Sequence, residues 1–175
     1  MELDPVRIVV TGHDERGRSG VSSDLMIPAA DKPSAGTYVH FLWGTDTLPE
    51  YPNNGSRPEL NSAFPPPGGI RFVETVIMPD EAMTDDGSEY TDGGIDGIQF
   101  PDGLAPGMHA TASVDCCVVI DGEVCVELSD GTVVVLQRGD SLVQNGTAHK
   151  WFNRTSHPAR LAVFVVGAVH NALPH

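Results

Sequence analysis

Two stretches, GLAPGMHATASVDCCVVIDG over residues 103–122 and GDSLVQNGTAHKWFN over 139–153, decide the fold of this chain. In the first, His109, Thr111, Asp115, Cys117 and Val119 all fall on odd positions. Successive strand residues point to opposite faces, so one extended segment puts all five on the same side. Asp121-Gly122 is a turn pair of the kind that joins antiparallel strands. Pairing Ile120 with Glu123 across it sets Asp115 opposite Leu128, Cys117 opposite Val126 and Val119 opposite Val124, an inward face that is apolar except at Asp115. Asp130-Gly131 repeats the device and leads into Thr132 to Leu136, and Gly139-Asp140 makes the next bend. In the second stretch Asn145-Gly146 forms a turn, after which His149, Trp151 and Asn153 alternate onto one face. Arg160 to Gly167 has the apolar content of a buried closing strand.

Working outward, Arg7 to Thr11, Val21 to Ile27, Thr37 to Trp43 and Ile70 to Met78 carry the β-branched and aromatic residues of strands, and no segment sustains a helical period. Leu48 to Gly69, crowded with Pro, Asn and Gly, and the acidic Pro79 to Gly103 interrupt the pattern. Loops of that length in a compact domain serve as lids or binding loops, or are disordered. The acidic stretch lacks the ligand spacing of a calcium loop and reads as solvated. An all-β sandwich or barrel follows.

At 175 residues the chain has the length of one domain. It divides into N-terminal strands and lid loops over 1–100, a motif-bearing core over 101–168 and a tail over 169–175. A net charge of -14 repels phosphate backbones and anionic headgroups, so nucleic acid is not an expected partner. Apolar runs such as Val163 to Ala168 fall far short of the roughly 20 residues of a membrane span. Met1 to Val10 already carries Glu2, Asp4 and Arg7 and does not read as a secretory signal, which makes a cytoplasmic location the expectation. Cys116, Cys117 and Cys125 have no zinc-type spacing and read as reduced thiols. The sequons at Asn54, Asn145 and Asn153 are read as chance matches, since two fall inside the second stretch.

The two glycine-framed stretches resemble the paired motifs of the cupin superfamily, small barrels that usually hold a divalent metal on three histidines and a glutamate. The resemblance covers Gly103 to about Gly167 well and the N-terminal half loosely. It implies a double-stranded β-helix, or jelly roll, and a homodimer in which N-terminal strands extend the partner's sheet. This chain departs from the pattern: Thr111 stands for the second histidine, Asp115 for the glutamate, and Gln144 for a usual proline.

Two chemistries suit the residues that remain. His109, Asp115 and His149 form a two-histidine, one-carboxylate set of donors suited to Fe, Mn, Ni or Zn, with open positions for substrate or dioxygen. Without metal, the same side chains act as acid and base, the imidazoles exchanging protons near neutrality while Asp115 orients them. That chemistry serves a dehydratase, decarboxylase or cyclase acting on an oxygenated small molecule of polyketide or aromatic origin. A dioxygenase and a non-catalytic ligand-binding barrel are the alternatives. His40 and Glu74 lie in apolar strands, where each is either a second acid or base in the cavity or a structural residue, with Arg71 or Arg160 as a salt-bridge partner. Trp151 reads as core packing, and Cys117, with no basic neighbour in sequence, as core filler.

Overall fold

The computed structural model describes residues 3–30, 36–60, 62–82, 98–99, 103, 105–169 and 171. Most of the acidic stretch between Pro79 and Gly103 therefore lies outside the described residues. Among the described residues there are twelve strands: β1 (Val6–His13), β2 (Ser19–Ile27), β3 (Thr37–Thr45), β4 (Ile70–Ile77), β5 (Ile98–Gln99), β6 (Ala110–Thr111), β7 (Ser113–Asp121), β8 (Glu123–Leu128), β9 (Val133–Gln137), β10 (Ser141–Asn145), β11 (His149–Phe152) and β12 (Ala159–Gly167). A five-stranded antiparallel sheet in the order β10-β7-β12-β4-β3 faces a three-stranded sheet in the order β11-β8-β9. The chain has the jelly-roll architecture implied by its glycine-framed motifs. Strands β1 and β2 form a separate two-stranded sheet. Among the described residues no helix is long and apolar enough to cross a membrane.

One register expectation fails. Strands β7 and β8 do not form a hairpin, because both edges of β7 are already taken, by β10 on one side and β12 on the other. Gly122 alone joins the two strands, at φ 77°, and turns the chain from the five-stranded sheet into the facing one. An added Cβ there would lie 2.9 Å from the Pro158 carbonyl oxygen, so the corner needs glycine for its fit as well as its dihedral. Asp115 consequently stands opposite Gln144 and Val165 instead of Leu128, and Leu128 stands opposite His149. The links β9 to β10, β10 to β11 and β11 to β12 also change sheets, whereas Asp130-Gly131 does close a true hairpin between β8 and β9. Repeated sheet changes of this kind wind the chain into the double-stranded β-helix.

The face assignment survives the register error because side-chain alternation does not depend on which strand lies alongside. Cys117 and Val119 from β7 pack with Val124 and Val126 from β8 and with Leu161 and Val163 from β12. Val126, Val119, Val124 and Leu161 are at most 1% exposed, each contributing about 1.5–3 kcal/mol of burial. Trp151 and Phe41 pack against the same cluster.

Candidate functional site

A cavity of about 370 Å³ opens between the two sheets. Its long wall is mainly apolar, with Val39 and Phe41 from β3, Val73 and Ile77 from β4, and Leu161, Val163 and Val165 from β12, interrupted by Thr37, Thr75 and Arg71. Polar side chains gather on the β6, β7, β10 and β11 side: His109, Thr111, Asp115, Gln144 and His149. His109 and Asp115, placed on one face by alternation, and His149, from the facing sheet, all border this one cavity.

The two histidines are held as a pair. His109 and His149 form an antiparallel bridge, each main-chain N–H donating to the other's carbonyl at 2.9 Å. That bridge stacks the rings at 4.6 Å between centroids with a 50° tilt. Trp151 meets His149 edge-on at 6.0 Å. Nδ1 of His109 lies 3.2 Å from the Gly107 carbonyl oxygen, and Nδ1 of His149 lies 2.9 Å from that of Thr147. A carbonyl only accepts, so each Nδ1 carries the hydrogen and Nε2 is the basic nitrogen of each ring. Burial pushes the His109 imidazole below its ordinary range, against the opposing pull of the Gly107 carbonyl. His149 is pushed down to about 4, by burial first and by the neighbouring His109 second. Both rings are accordingly neutral bases at physiological pH.

Asp115 sits in a hydroxyl cradle. Ser113 Oγ donates to its Oδ1 at 2.6 Å, the Thr111 hydroxyl also bonds to it, and the two hydroxyl oxygens are 2.8 Å apart. Burial pushes the carboxyl above its ordinary value, and the two hydroxyls hold it back. Ser113 shares the parity of Thr111 and Asp115, so its place was readable by the same count that found them. Gln144, opposite Asp115, donates through Nε2 to the Thr147 carbonyl at 2.9 Å and to Thr147 Oγ1 at 2.5 Å. Burial, with Asp115 beside it, pushes the Cys117 thiol up to about 12, which makes it an inert wall residue.

Two candidates point elsewhere. Val39 and Phe41 line the cavity, and His40 between them is on the opposite face of β3; Glu74 between Val73 and Thr75 is likewise on the opposite face of β4. The two stand directly across from each other. His40 is fully buried with Nδ1 3.0 Å from the Ile27 carbonyl, and Glu74 accepts from Arg160 Nε at 2.8 Å and from Arg160 Nη2. Neither reaches the cavity, so they are corrected to structural residues, with Arg160 as the partner of Glu74. Arg71 does line the cavity, which the sequence reading did not foresee. All five of its N–H groups are bound: Nε and Nη2 to the Ser62 carbonyl, Nη1 to those of Thr45 and Ile70, and Nη2 to Asp46 Oδ1 at 2.5 Å. Those bonds fix a strap that places Ala63 and Phe64 in the cavity wall. At its far end the strap lies on Gly167, where a Cβ would stand 2.0 Å from the Pro66 carbonyl oxygen.

A metal centre was the other expectation for His109, Asp115 and His149. The Nδ1 anchoring suits imidazoles that coordinate through Nε2. Among the described residues, however, no three His, Cys, Asp or Glu side chains come together as a ligand set. Asp115 is drawn to Ser113 and Thr111, and a hydroxyl replaces the further imidazole at position 111. The described residues therefore do not fit a three-ligand ion.

No family model matches the chain. The cupin-domain-containing oxidoreductase fogC of Aspergillus ruber is 30% identical over 150 residues, covering 85% of this chain and 64% of that protein. Phomopsin biosynthesis cluster protein C' of Diaporthe leptostromiformis is 45% identical over 74 residues, 36% of this chain and 39% of its own length. The chain thus spans less than two thirds of either relative. Among solved structures, the polyketide cyclase RemF from Streptomyces resistomycificus superposes with a TM-score of 0.45 at 13% identity, over 83% of this chain and 82% of that one. Given the sheet-changing topology and the match to a cupin-domain protein along 85% of the sequence, the chain belongs to the cupin superfamily.

Proposed function

We propose that this protein is a secondary-metabolism enzyme of the lyase or isomerase type, a dehydratase, decarboxylase or cyclase, acting on an oxygenated small molecule by proton transfer at the histidine pair. The observation that carries this reading is the stacked, neutral His109–His149 pair, each ring fixed in one tautomer by a main-chain carbonyl, on the polar side of an otherwise apolar cavity. In a dehydration, Nε2 of one ring takes the proton from a C–H made acidic by an adjacent carbonyl. The proton returned to the leaving hydroxyl releases it as water, so the protein ends as it began. The Ser113, Thr111 and Asp115 cluster lines the same side, where its hydroxyls can hydrogen-bond to negative charge developing on the substrate oxygen. The wall of valines excludes water from the exchange.

Substitution His149→Ala or His109→Ala, assayed on the intermediate that accumulates when the gene is inactivated, is expected to lower turnover by about 10²–10⁴-fold. Full activity in both variants removes the pair from the mechanism. The name of the Aspergillus ruber relative favours a second reading, an oxidoreductase. Product analysis separates the two: a product isomeric with the substrate, or lacking water or carbon dioxide, supports the first, and one that has gained oxygen or lost hydrogen supports the second.

A further inference from the structure

The cations of the cavity wall say what charge the ligand carries. Among the described residues two cationic ones border the cavity, Arg71 and Lys150. A guanidinium in an apolar cavity is ordinarily the first place to seat a carboxylate or phosphate of a ligand. Arg71 cannot serve so: its side chain is 1% exposed and its five N–H groups are all bound to the main chain and Asp46. Strand alternation turns Lys150 away from the face shared by His149 and Trp151, toward its cross-strand neighbour Glu127, and it is likewise engaged within the protein. The remaining charged group on the wall is the Asp115 carboxyl, of the wrong sign for an anion. The protein as a whole adds a net charge of -14. An anionic ligand would therefore leave water for a site whose described residues offer no unengaged counter-charge, in a repelling field.

The polar atoms are also one-sided. The histidines, Thr111, Asp115 and Gln144 lie toward β6, β7, β10 and β11, while β3, β4 and β12 present mainly aliphatic and aromatic carbon from Val39 to Val165, broken by the Thr37 and Thr75 hydroxyls and the fully bonded Arg71. A cationic ligand, extending across that wall, would keep only Asp115 for its charge.

We infer that the cavity selects an uncharged, predominantly apolar molecule with its hydroxyl or carbonyl function at one end, seated against the histidine pair and the Ser113–Asp115 cluster, and that it rejects carboxylates and phosphate esters. This deepens the proposed function by naming the charge class of its substrate, and it rests on the same cavity. Binding is measured without turnover, so its failure is distinguishable from failure of the histidine variants, which tests the reaction.

Three probes that share one ring system test it by titration calorimetry on the unmodified protein at neutral pH: 1-naphthylmethanol, 1-naphthoate and 1-naphthylmethylammonium. The alcohol is expected to bind about tenfold or more tightly than either ion. It is also expected to move the ring-proton resonances of His109 and His149 in the NMR spectrum. Equal or tighter binding of the carboxylate or the ammonium overturns the inference. So does failure of the alcohol to bind, or binding that leaves both histidine spectra unchanged.

Discussion

Arg71 and Asp115 lie in one row across the five-stranded sheet, with Val165 between them, roughly 10 Å apart. Both are buried and both border the same cavity. Arg71 has a protein partner for every hydrogen it can donate. Asp115 has two hydroxyls for a group that can accept about four hydrogen bonds, and no cation. The difference separates two uses of buried polarity: a saturated group ties the main chain together, and an under-satisfied one keeps its capacity for something that enters the cavity. In the histidine pair one nitrogen of each ring is fixed by a main-chain carbonyl, and both rings line the cavity.

The largest consequence is expected at Arg71. Arg71→Leu removes the hydrogen bonds that Arg71 gives to the carbonyls of Ser62, Thr45 and Ile70 and to the Asp46 carboxylate, and breaking an ion pair buried at its arginine end costs about 3 kcal/mol. Urea unfolding measures it. A loss below about 1 kcal/mol would mean that the strap is held by its Gly167 contact alone and that the saturation of Arg71 has no structural weight.

The next effect belongs to the histidine pair and depends on pH. Burial and His109 hold His149 at about 4 in the folded protein, below the ordinary 6.5 of an unfolded chain. As pH falls the unfolded chain takes the proton first. The stability tied to the neutral ring is therefore fully present above about 6.5 and is lost as pH falls through that value toward about 4, a change of about 3 kcal/mol. His109 shifts in the same direction and adds to the slope. Comparing unfolding free energies of wild type and His149→Gln across that window isolates the contribution, because all other carboxylates are common to both. Parallel curves would show that His149 is solvated like a surface imidazole, and the contrast with Arg71 would lose its second member.

Much of the site was readable from spacing alone. Parity carried His109, Thr111 and Asp115 to one face with no knowledge of strand partners, and Ser113 was within reach of the same count; His149, on a strand of the facing sheet, was joined to them by the resemblance of the paired motifs. The register was not readable, because Asp121-Gly122 satisfies a hairpin turn and a one-residue corner between sheets equally well; only the occupied edges of β7 decide between them. His40 and Glu74 were ambiguous for a related reason: in a strand buried on both faces a polar residue sits among apolar ones whichever way it points. Parity with Phe41 and Val73 would have assigned them once one cavity residue per strand was known. Arg71 has no local signature, since apart from the Ile70 carbonyl its partners lie at positions 45, 46 and 62, brought to it by the neighbouring end of β3 and by the strap.

The smallest effect is the most discriminating, because its sign is opposite to that at Arg71. Burial raises the folded-state value of Asp115, so stability associated with its protonated form is present below the unfolded carboxyl value and is lost as pH rises through the raised one. Above that point the folded protein holds a buried charge compensated only by the Ser113 and Thr111 hydroxyls. Asn has the same shape, can accept the Ser113 hydrogen and carries no charge. Asp115→Asn is expected to raise stability by on the order of 1 kcal/mol at neutral pH while lowering turnover. The gain should shrink as the solution is acidified and the wild-type carboxyl takes up its own proton. Thermal unfolding at neutral and acid pH measures both. If Asp115→Asn instead destabilises the protein at every pH, as Arg71→Leu is expected to, then Asp115 is a second structural tie and the distinction between it and Arg71 disappears.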